Sequence, residues 1–471
     1  MNDLQNNRAM AENIAREVKK RGGTAYYVGG YVRDYLLNLE NKDIDIEIHG
    51  VEVSVLKEIL DSLGERVSIG ESFGIFALKG YGVDIALPRK EKAVGKGHRD
   101  FETFTDPMIG TYEAAKRRDF TINAMMMDVL TGEIVDHFGG REDLKNRILR
   151  HVSGETFPED ALRVLRGAQF AARFHCTVAP ETIALCKNMP LSHLSHERVW
   201  EELRKALLKA DRPSVFFRVL RETEQLEAWF PEVKALIGVK QNPSYHAEGD
   251  VFCHTMMVLD EAAKYRDDAS DPFGFMLTAL CHDFGKAICT EVINGKICSY
   301  NHETLGLPLV ERFLKRLTNE TKRIDYILNL TEFHMRPNAL ASFGSSRKAT
   351  NKMFDSVSCA RDLVYFAKSD HFGRITSEKS TFHEDFLWER LHIYEELMKK
   401  PCVMGRDLAM AGLKPSPLFS ELLDYAHKLR LAGVEKEEAL KQTLAYAREK
   451  QKPQSKTKIK NTAKAPSHKE V

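Results

Sequence analysis

Asp43 and Asp45 stand two residues apart in the run Asp43-Ile44-Asp45-Ile46-Glu47-Ile48. Side chains of a β-strand alternate between faces, so Asp43, Asp45 and Glu47 share one face and the three isoleucines the other. Two carboxylates converging from one strand suit a hard cation such as Mg2+, which takes oxygen ligands and shares them with substrate phosphates. Upstream, Gly29 and Gly30 separate a strand-like Tyr26-Tyr27-Val28 from a helix-like Val32 to Leu37 that carries Arg33. Such a junction presents free backbone N–H groups to a phosphate. A phosphate cradle beside paired carboxylates is the apparatus of metal-assisted phosphoryl or nucleotidyl transfer. Asp84, in Gly82-Val83-Asp84-Ile85-Ala86-Leu87, becomes a third carboxylate if its strand neighbours that of Asp45. Asp43 and Asp45 would then bind two cations, one activating an attacking hydroxyl and one neutralising the leaving pyrophosphate. Asp84 would hold the first metal or accept the proton.

Two further groups follow. Arg117-Arg118-Asp119 opens the segment that ends Ile122-Asn123-Ala124, and paired arginines give forked donors to phosphate oxygens. In Glu159-Asp160-Ala161-Leu162-Arg163-Val164-Leu165-Arg166, the three-residue steps put Asp160, Arg163 and Arg166 on one polar helix stripe, with Leu162, Leu165 and Phe170 toward the core. Asp and Arg side chains offer acceptors and donors to the edge of a base. Taken alone, each group has a plain explanation as a turn, a capped helix or a salt-bridged surface. Their succession favours the chemical one.

A second constellation comprises His254, His282-Asp283, His302, His334 and Asp370. A single histidine is usually a satisfied core or surface residue. Several at helix-like positions, together with carboxylates, suit Mn, Fe, Ni or Zn.

The elements that must position these residues are legible in outline. Met1 to Arg21 reads as an amphipathic helix. Strand candidates are 66–69, 74–79, 83–87 and 125–130, and from 141 onward leucines and alanines recur at helical steps. The spacing predicts five segments: a mixed head over 1–145, a helical neck and body over 146–235, a histidine-rich helical region over 236–375, a helical tail over 376–450 and a disordered Lys-rich end over 451–471. The 471 residues carry a net charge of +1, but residues 450–471 hold seven Lys against one Glu, leaving −5 for the remainder. That tail is either solubilising or a weak, salt-sensitive attractor of RNA phosphates. No apolar run of ~18 residues suggests membrane spanning. Eight scattered cysteines without CxxC pairs fit reduced thiols in the cytoplasm.

In order along the chain, these segments resemble the class II tRNA nucleotidyltransferase and bacterial poly(A) polymerase superfamily. The resemblance rests on GGYVRD with KDIDIEI, GVDIALPR, RRDFTINAM, EDALRVLR and HERVWEELRKAL, and covers about residues 20–235. It implies an α+β fold, with a polymerase-β-like nucleotidyltransferase head built on a small sheet, followed by an all-α neck and body. It also implies template-free addition of CCA to tRNA 3′ ends from CTP and ATP, with Mg2+ at Asp43 and Asp45. By position, Gly30 and Arg33 would contact the triphosphate, with Arg118, Asp119 and Asn123 nearby. Asp160, Arg163 and Arg166 would read the incoming base. Gln169 stands where many relatives carry Arg. The Gly- and Lys-rich stretch 88–107 matches a mobile loop that helps switch from CTP to ATP. His254, His282-Asp283 and Asp370 resemble the HD phosphohydrolase superfamily, and His302 and His334 match the extra ligands of its two-metal members. This implies an all-α HD domain that hydrolyses phosphate esters with a divalent transition metal. The block Val403 to Pro417 resembles the family's tail helices, which hold the tRNA elbow, although Ser416 replaces a usual glycine. Alternatives within the class are a CC-adding enzyme and a poly(A) polymerase. An alternative of another class is an HD phosphohydrolase with an RNA-binding head.

Overall fold

The computed structural model describes residues 2–41, 43–70, 74–93, 101–376 and 381–451. The Lys-rich segment expected to be disordered lies, from 452 onward, outside the described residues. The chain divides into two compact units, residues 1–334 with 365–380, and residues 335–364 with 381–471.

The first unit opens with α1 (Asn2–Lys20), whose Ala11, Ile14, Ala15 and Val18 are buried. It packs on β1 (Thr24–Val28) and on α3 (Val53–Leu63). Between them lie α2 (Gly30–Leu36) and β2 (Ile44–His49). The remaining head strands are β3 (Arg66–Gly70), β4 (Ile75–Leu78), β5 (Val83–Ala86), the paired β6 (Arg89–Ala93) and β7 (Phe101–Thr105), then β8 (Met126–Asp128) and β9 (Ile134–Val135). Seven form one mixed sheet in the order β3-β4-β5-β2-β1-β8-β9. The β2–β5 pair is parallel and puts Asp45 opposite Asp84, as the sequence reading required. Ile44, Ile46 and Ile48 are wholly buried, so the apolar face of the alternating strand supplies core and the acidic face is the other one.

Two expectations need correction. Asp43 lies one residue before β2, because its N–H is taken by the Asn41 side chain at 2.9 Å. The stretch 88–107, read as a loop, contains the antiparallel pair β6–β7, and residues 94–100 lie outside the described residues.

After α4 (Gly110–Lys116) and α5 (Gly140–Lys145), the neck expected to be all helix contains a short parallel pair, β10 (Ile148–Leu149) and β11 (Thr177–Val178), which brackets α6 (Leu162–Phe174). Then come α7 (Pro180–Lys187), α8 (His196–Lys209), α9 (Ser214–Glu222) and α10 (Pro231–Lys234), with α6 packed on α8 and α9. Phe120 joins head to neck. It is fully buried and meets Phe157 and Phe170 edge to face at 5.4 and 5.9 Å. The histidine-rich part, expected to be all helix, is helical except for one hairpin: α11 (Val251–Ala262), α12 (Pro272–Cys281), α13 (Lys286–Cys289), the hairpin β12 (Glu291–Ile293) with β13 (Lys296–Cys298), whose Asn294-Gly295 turn takes positive φ, then α14 (His302–Leu305), α15 (Leu307–Leu317) and α16 (Thr321–Phe333).

The second unit holds α17 (Arg336–Ser342), α18 (Arg347–Asp355) and the start of α19 (Ala360–Phe372), then α20 (Glu384–Lys399), α21 (Gly405–Met410), α22 (Leu418–Leu431) and α23 (Lys436–Gln451). Leu408, Leu422 and Ala447 form a small core there. Among the described residues no helix is long and apolar enough to cross a membrane. None of the eight cysteines is disulfide-bonded.

Phe120→Ala removes a ring with no exposed surface, and should destabilise the protein by about 3–5 kcal/mol. Denaturant unfolding of the purified variant measures this.

Candidate functional site

A cleft of about 810 Å3 opens in the first unit, and every predicted nucleotide-contacting residue lines it: Gly30, Arg33, Arg118, Asp119, Asn123, Asp160, Arg163 and Arg166. Asp43 and Asp45 line it as well. Asp84 lines an adjoining cavity of about 350 Å3 that shares Asp45, Arg117 and Arg118 with the cleft. Asp45 is therefore the carboxylate common to both.

The GG junction is tighter than the sequence suggested. Gly29 has φ +63°, a left-handed value that favours glycine, and α2 starts directly at Gly30. Asp45 is partly buried, and burial, with the charges of Asp84 and Asp43, raises its carboxyl above the ordinary range against the pull of Arg118. Clustered carboxylates that repel one another fit a divalent cation, and the all-oxygen donor set fits Mg2+. Glu47, on the same strand face, is buried and accepts from Arg118 Nη2 at 3.0 Å. It also meets His49 at 2.9 Å. Burial alone would raise Glu47, but Arg118 and His49 hold it below the ordinary range.

A chain of hydrogen bonds ties the base-reading candidates to Asp43. Arg166 Nε donates to Asp119 Oδ2 at 2.8 Å. Asn123 donates to Asp119 Oδ1 at 3.1 Å and accepts from Arg33 Nη1 at 2.7 Å. Arg33 pairs with Asp34, Asp34 accepts from Asn41 Nδ2 at 2.9 Å, and Asn41 accepts the Asp43 N–H. Arg33 is buried beneath this chain, with its guanidinium 4.2 Å from the Phe174 ring centre.

The predicted helical stripe needs correction at one end. Asp160 precedes α6 in extended backbone, and its carboxylate accepts the Leu162 N–H at 3.0 Å. Asp tends to bond its neighbouring backbone in this way, which starts a helix rather than extending it backwards. Asp160 also pairs with Arg198 at 2.8 Å. Arg163 donates to the carbonyls of Thr156 and Arg117 at 2.6 and 2.8 Å. Gln169 is buried with both amide atoms lacking a partner and does not line the cleft. The sequence reading missed Asp34, Asn41, Arg173, Lys205 and Lys209 in the cleft wall. Arg173 continues the helical spacing of Arg166 and Phe170, so periodicity was a usable signal for it.

The second constellation also converges. His254 on α11, His282 and Asp283 after α12, His302 opening α14, His334 after α16 and Asp370 on α19 are all buried. They form two ligand groups, His254 with His282 and Asp370, and Asp283 with His302 and His334, each with donor atoms within 4.8 Å of one another. Asp283 joins them. Its Oδ2 lies 3.2 Å from His282 Nε2 and its Oδ1 lies 3.2 Å from His302 Nε2.

The tautomers follow from the backbone. The Nδ1 atoms of His282, His302 and His334 face the carbonyls of Ala279, Ser299 and Thr331 at 3.0, 2.8 and 2.6 Å. A carbonyl only accepts, so each Nδ1 carries a proton, and each Nε2 offers a lone pair when the ring is neutral. Yet Nε2 of His282 faces that of His254 at 3.4 Å, and Nε2 of His302 faces that of His334 at 3.3 Å. Paired imidazole nitrogens beside two carboxylates fit a divalent cation in each group. The mixed nitrogen and oxygen donors fit a transition metal better than Mg2+. Burial, with the charges of His302 and His282, pushes His334 down to about 3, so it is neutral at pH 7. Burial would raise Asp283, but His282 and Lys286 hold its carboxyl well below the usual range. Gly285 permits the close packing, since a Cβ there would meet the His302 carbonyl oxygen at 2.0 Å. The sequence reading missed His246, Glu248 and Lys286, which surround the ligands. Lys286 Nζ lies 2.7 Å from Asp283 Oδ2.

Residues 25–150 match the model of the poly A polymerase head domain, and residues 177–237 match that described as "Probable RNA and SrmB- binding site of polymerase A". The multifunctional CCA protein of Actinobacillus pleuropneumoniae serotype 5b is 36% identical over 370 residues, covering 76% of this chain and 87% of that protein. That of Pasteurella multocida is 35% identical over 412 residues, covering 84% and 94%. The Bacillus stearothermophilus CCA-adding enzyme in complex with CTP shares the fold at a TM-score of 0.64 and 21% identity, over 94% of this chain and 98% of that one. The Thermotoga maritima CCA-adding enzyme complexed with tRNA does so at 0.63 and 20%, over 94% and 98%.

Asp119 is buried, and burial alone would raise its carboxyl. Arg166, Asn123 and the Phe120 N–H together hold it below its ordinary 3.8. A depressed carboxyl stabilises the fold above the unfolded value, and that stability is lost as pH falls through the folded value. Asp119→Asn should therefore cost roughly 1.5–3 kcal/mol at pH 7, the range of a hydrogen bond to a charged group. The gap to wild type should narrow below about pH 4. Urea unfolding of both proteins from about pH 7 down to about pH 2 tests the sign.

Proposed function

The chain belongs to the family of CCA-adding tRNA nucleotidyltransferases, and from that membership we propose that it builds and repairs the CCA 3′ end of tRNA from CTP and ATP. The observation that carries this reading is a single cleft lined by Asp43 and Asp45 together with Arg118, Arg163 and Arg166. The tRNA 3′-hydroxyl is the nucleophile, so the protein needs none of its own. Its work is to orient the hydroxyl and the triphosphate and to neutralise charge. Asp43 and Asp45, with Asp84 beside them, would hold Mg2+. When bound, the ions supply charge neutralisation for the triphosphate and a lowered hydroxyl pKa. Glu47 keeps Arg118 aimed along the strand face, and Gly30 leaves room for the triphosphate near Arg33 and Arg118. Asn123 and Asp119 set the position of Arg166. Asp160, Arg163 and Arg166 read the base edge, with Asp160 exchanging its Arg198 partner for the base amino group. The domain scheme follows the same reading: head 1–145, neck and body 146–235, HD domain 236–375 and a tRNA-holding tail 376–450. Eight unpaired cysteines support a reducing, cytoplasmic setting.

A second activity is supported by the buried histidine cluster. His254, His282 and Asp370, and His302 and His334, with Asp283 between the two groups, would hold two divalent transition-metal ions drawn from Mn, Fe, Ni or Zn. Bound there, they supply an activated water for hydrolysis of phosphate esters at RNA 3′ ends. The protein's own part is to fix the imidazole tautomers through the Ala279, Ser299 and Thr331 carbonyls.

The primary test uses tRNA transcripts that end before CCA, with CTP, ATP or both, and Mg2+. The expected product is CCA and nothing longer. A stop at CC with both nucleotides present would mean a CC-adding enzyme, and a long A ladder a poly(A) polymerase. Asp45→Ala should abolish addition and leave hydrolysis of a 2′,3′-cyclic nucleotide intact. Asp283→Ala should do the reverse, and unchanged hydrolysis in that variant would remove the HD assignment.

A further inference from the structure

Three of the four imidazoles in the buried cluster fix a protonated nitrogen on a main-chain carbonyl. His254 does not. It sits inside α11, where its nearest carbonyls are engaged in the helix ladder. Its Nδ1 instead lies 3.2 Å from Glu248 Oε1, within ion-pair distance but outside hydrogen-bond geometry. Glu248 has a side-chain exposure of 2% and is engaged on three sides. The same Oε1 lies 2.8 Å from His246 Nδ1, and Oε2 accepts the Ile375 N–H at 2.9 Å. Ile375 also returns its carbonyl to the Ala247 N–H at 2.7 Å, five residues beyond Asp370. The His246 ring stands edge-on to the His254 ring at 4.7 Å. One carboxylate thus joins the segment before α11 to the segment after α19, and those two helices supply His254 and Asp370.

We propose that Glu248 is a positioning residue for the histidine cluster, holding His254 with Nε2 directed at Asp283 and Asp370, and that His246 steadies Glu248 from behind. The proposal rests on the reading of the cluster as a metal centre. A carboxylate on the outer nitrogen of a ligating imidazole fixes the tautomer and makes the inner nitrogen a stronger donor. A neutral amide at 248 keeps an acceptor for Ile375 and much the same shape, but withdraws the charge. The competing reading is that Glu248, His246 and His254 Nδ1 are themselves a ligand set, since their donor atoms also lie within 4.8 Å of one another.

The experiment titrates the full-length chain with Co2+ in saturating Mg2+, following heat and the visible absorption of nitrogen-ligated cobalt. Wild type, Glu248→Gln and Glu248→Ala are compared. The proposal expects Glu248→Gln to bind the same number of ions roughly 10–100-fold more weakly. Its metal-free melting temperature should stay unchanged, as should its nucleotide addition, and excess metal should restore hydrolysis. Glu248→Ala should lose affinity and also melt earlier, having lost the Ile375 contact. Unaltered affinity in Glu248→Gln would reduce Glu248 to a structural tie and overturn the proposal. Loss of one whole ion per chain would make it a ligand and overturn it too. Absence of Co2+ binding by wild type would overturn it together with the metal-centre reading. Should Glu248→Gln not fold, Glu248→Asp keeps the charge but retracts it. Wild-type affinity in that variant also counts against positioning.

Discussion

The buried pair of Asp119 with Arg166 is the contact on which the cleft depends. One partner lies on the head segment that follows the paired arginines, the other on the first long helix of the neck. Asp119 is enclosed, so its charge is tolerable only with Arg166, Asn123 and a backbone N–H around it. Through Asn123 and Arg33 the same contact reaches Asp34, Asn41 and the backbone of Asp43. The groups proposed to read a base and those proposed to hold a cation are therefore set by one hydrogen-bonded chain, not by two separate scaffolds. Such a chain confers geometry more than stability, because each buried polar group first had to be desolvated.

Much of this arrangement was legible in the residues. The alternation from Asp43 to Ile48 told which strand face was core and which was acidic, and the parallel pairing put Asp45 opposite Asp84. The ends were less legible. Asp43 fell off the strand because Asn41 captured its N–H, and Asp160 fell off the helix because its carboxylate bonded the Leu162 N–H. In both places a short polar side chain competed with the regular backbone pattern, which periodicity cannot detect. Glu47 was assigned to the acidic face without its role, since an alternating pattern gives a direction but not a partner. Glu248 gave no signal, because it lies in irregular chain and acts through residues 6 and 127 positions away.

The two centres show how donor type divides the chemistry within one compact unit. The cleft offers carboxylate oxygens beside a crowd of arginines, which suits a hard ion shared with a polyphosphate. The histidine cluster offers imidazole nitrogens enclosed by apolar helices, which suits a resident ion and a small bound water. Gly285 illustrates the tolerance of the second centre. Two stretches of backbone pass so closely that no side chain fits between them, so ligand spacing there is set by main chain, not by adjustable side chains.

The order of the large sheet has a consequence for how the chain is made. β1 is flanked by β2 on one edge and β8 on the other, with Tyr26 opposite Glu47 and also opposite Asp128. The second partner is synthesised 102 residues after the first residue of the pair. At ~5–20 residues per second a growing chain spends roughly 5–20 s with that inner edge unpaired. During that interval an interior strand behaves as an edge strand and can accept a foreign one. The nascent head is therefore most exposed to mispairing before Met126–Asp128 emerges, and a pause in translation upstream of that point lengthens the exposure.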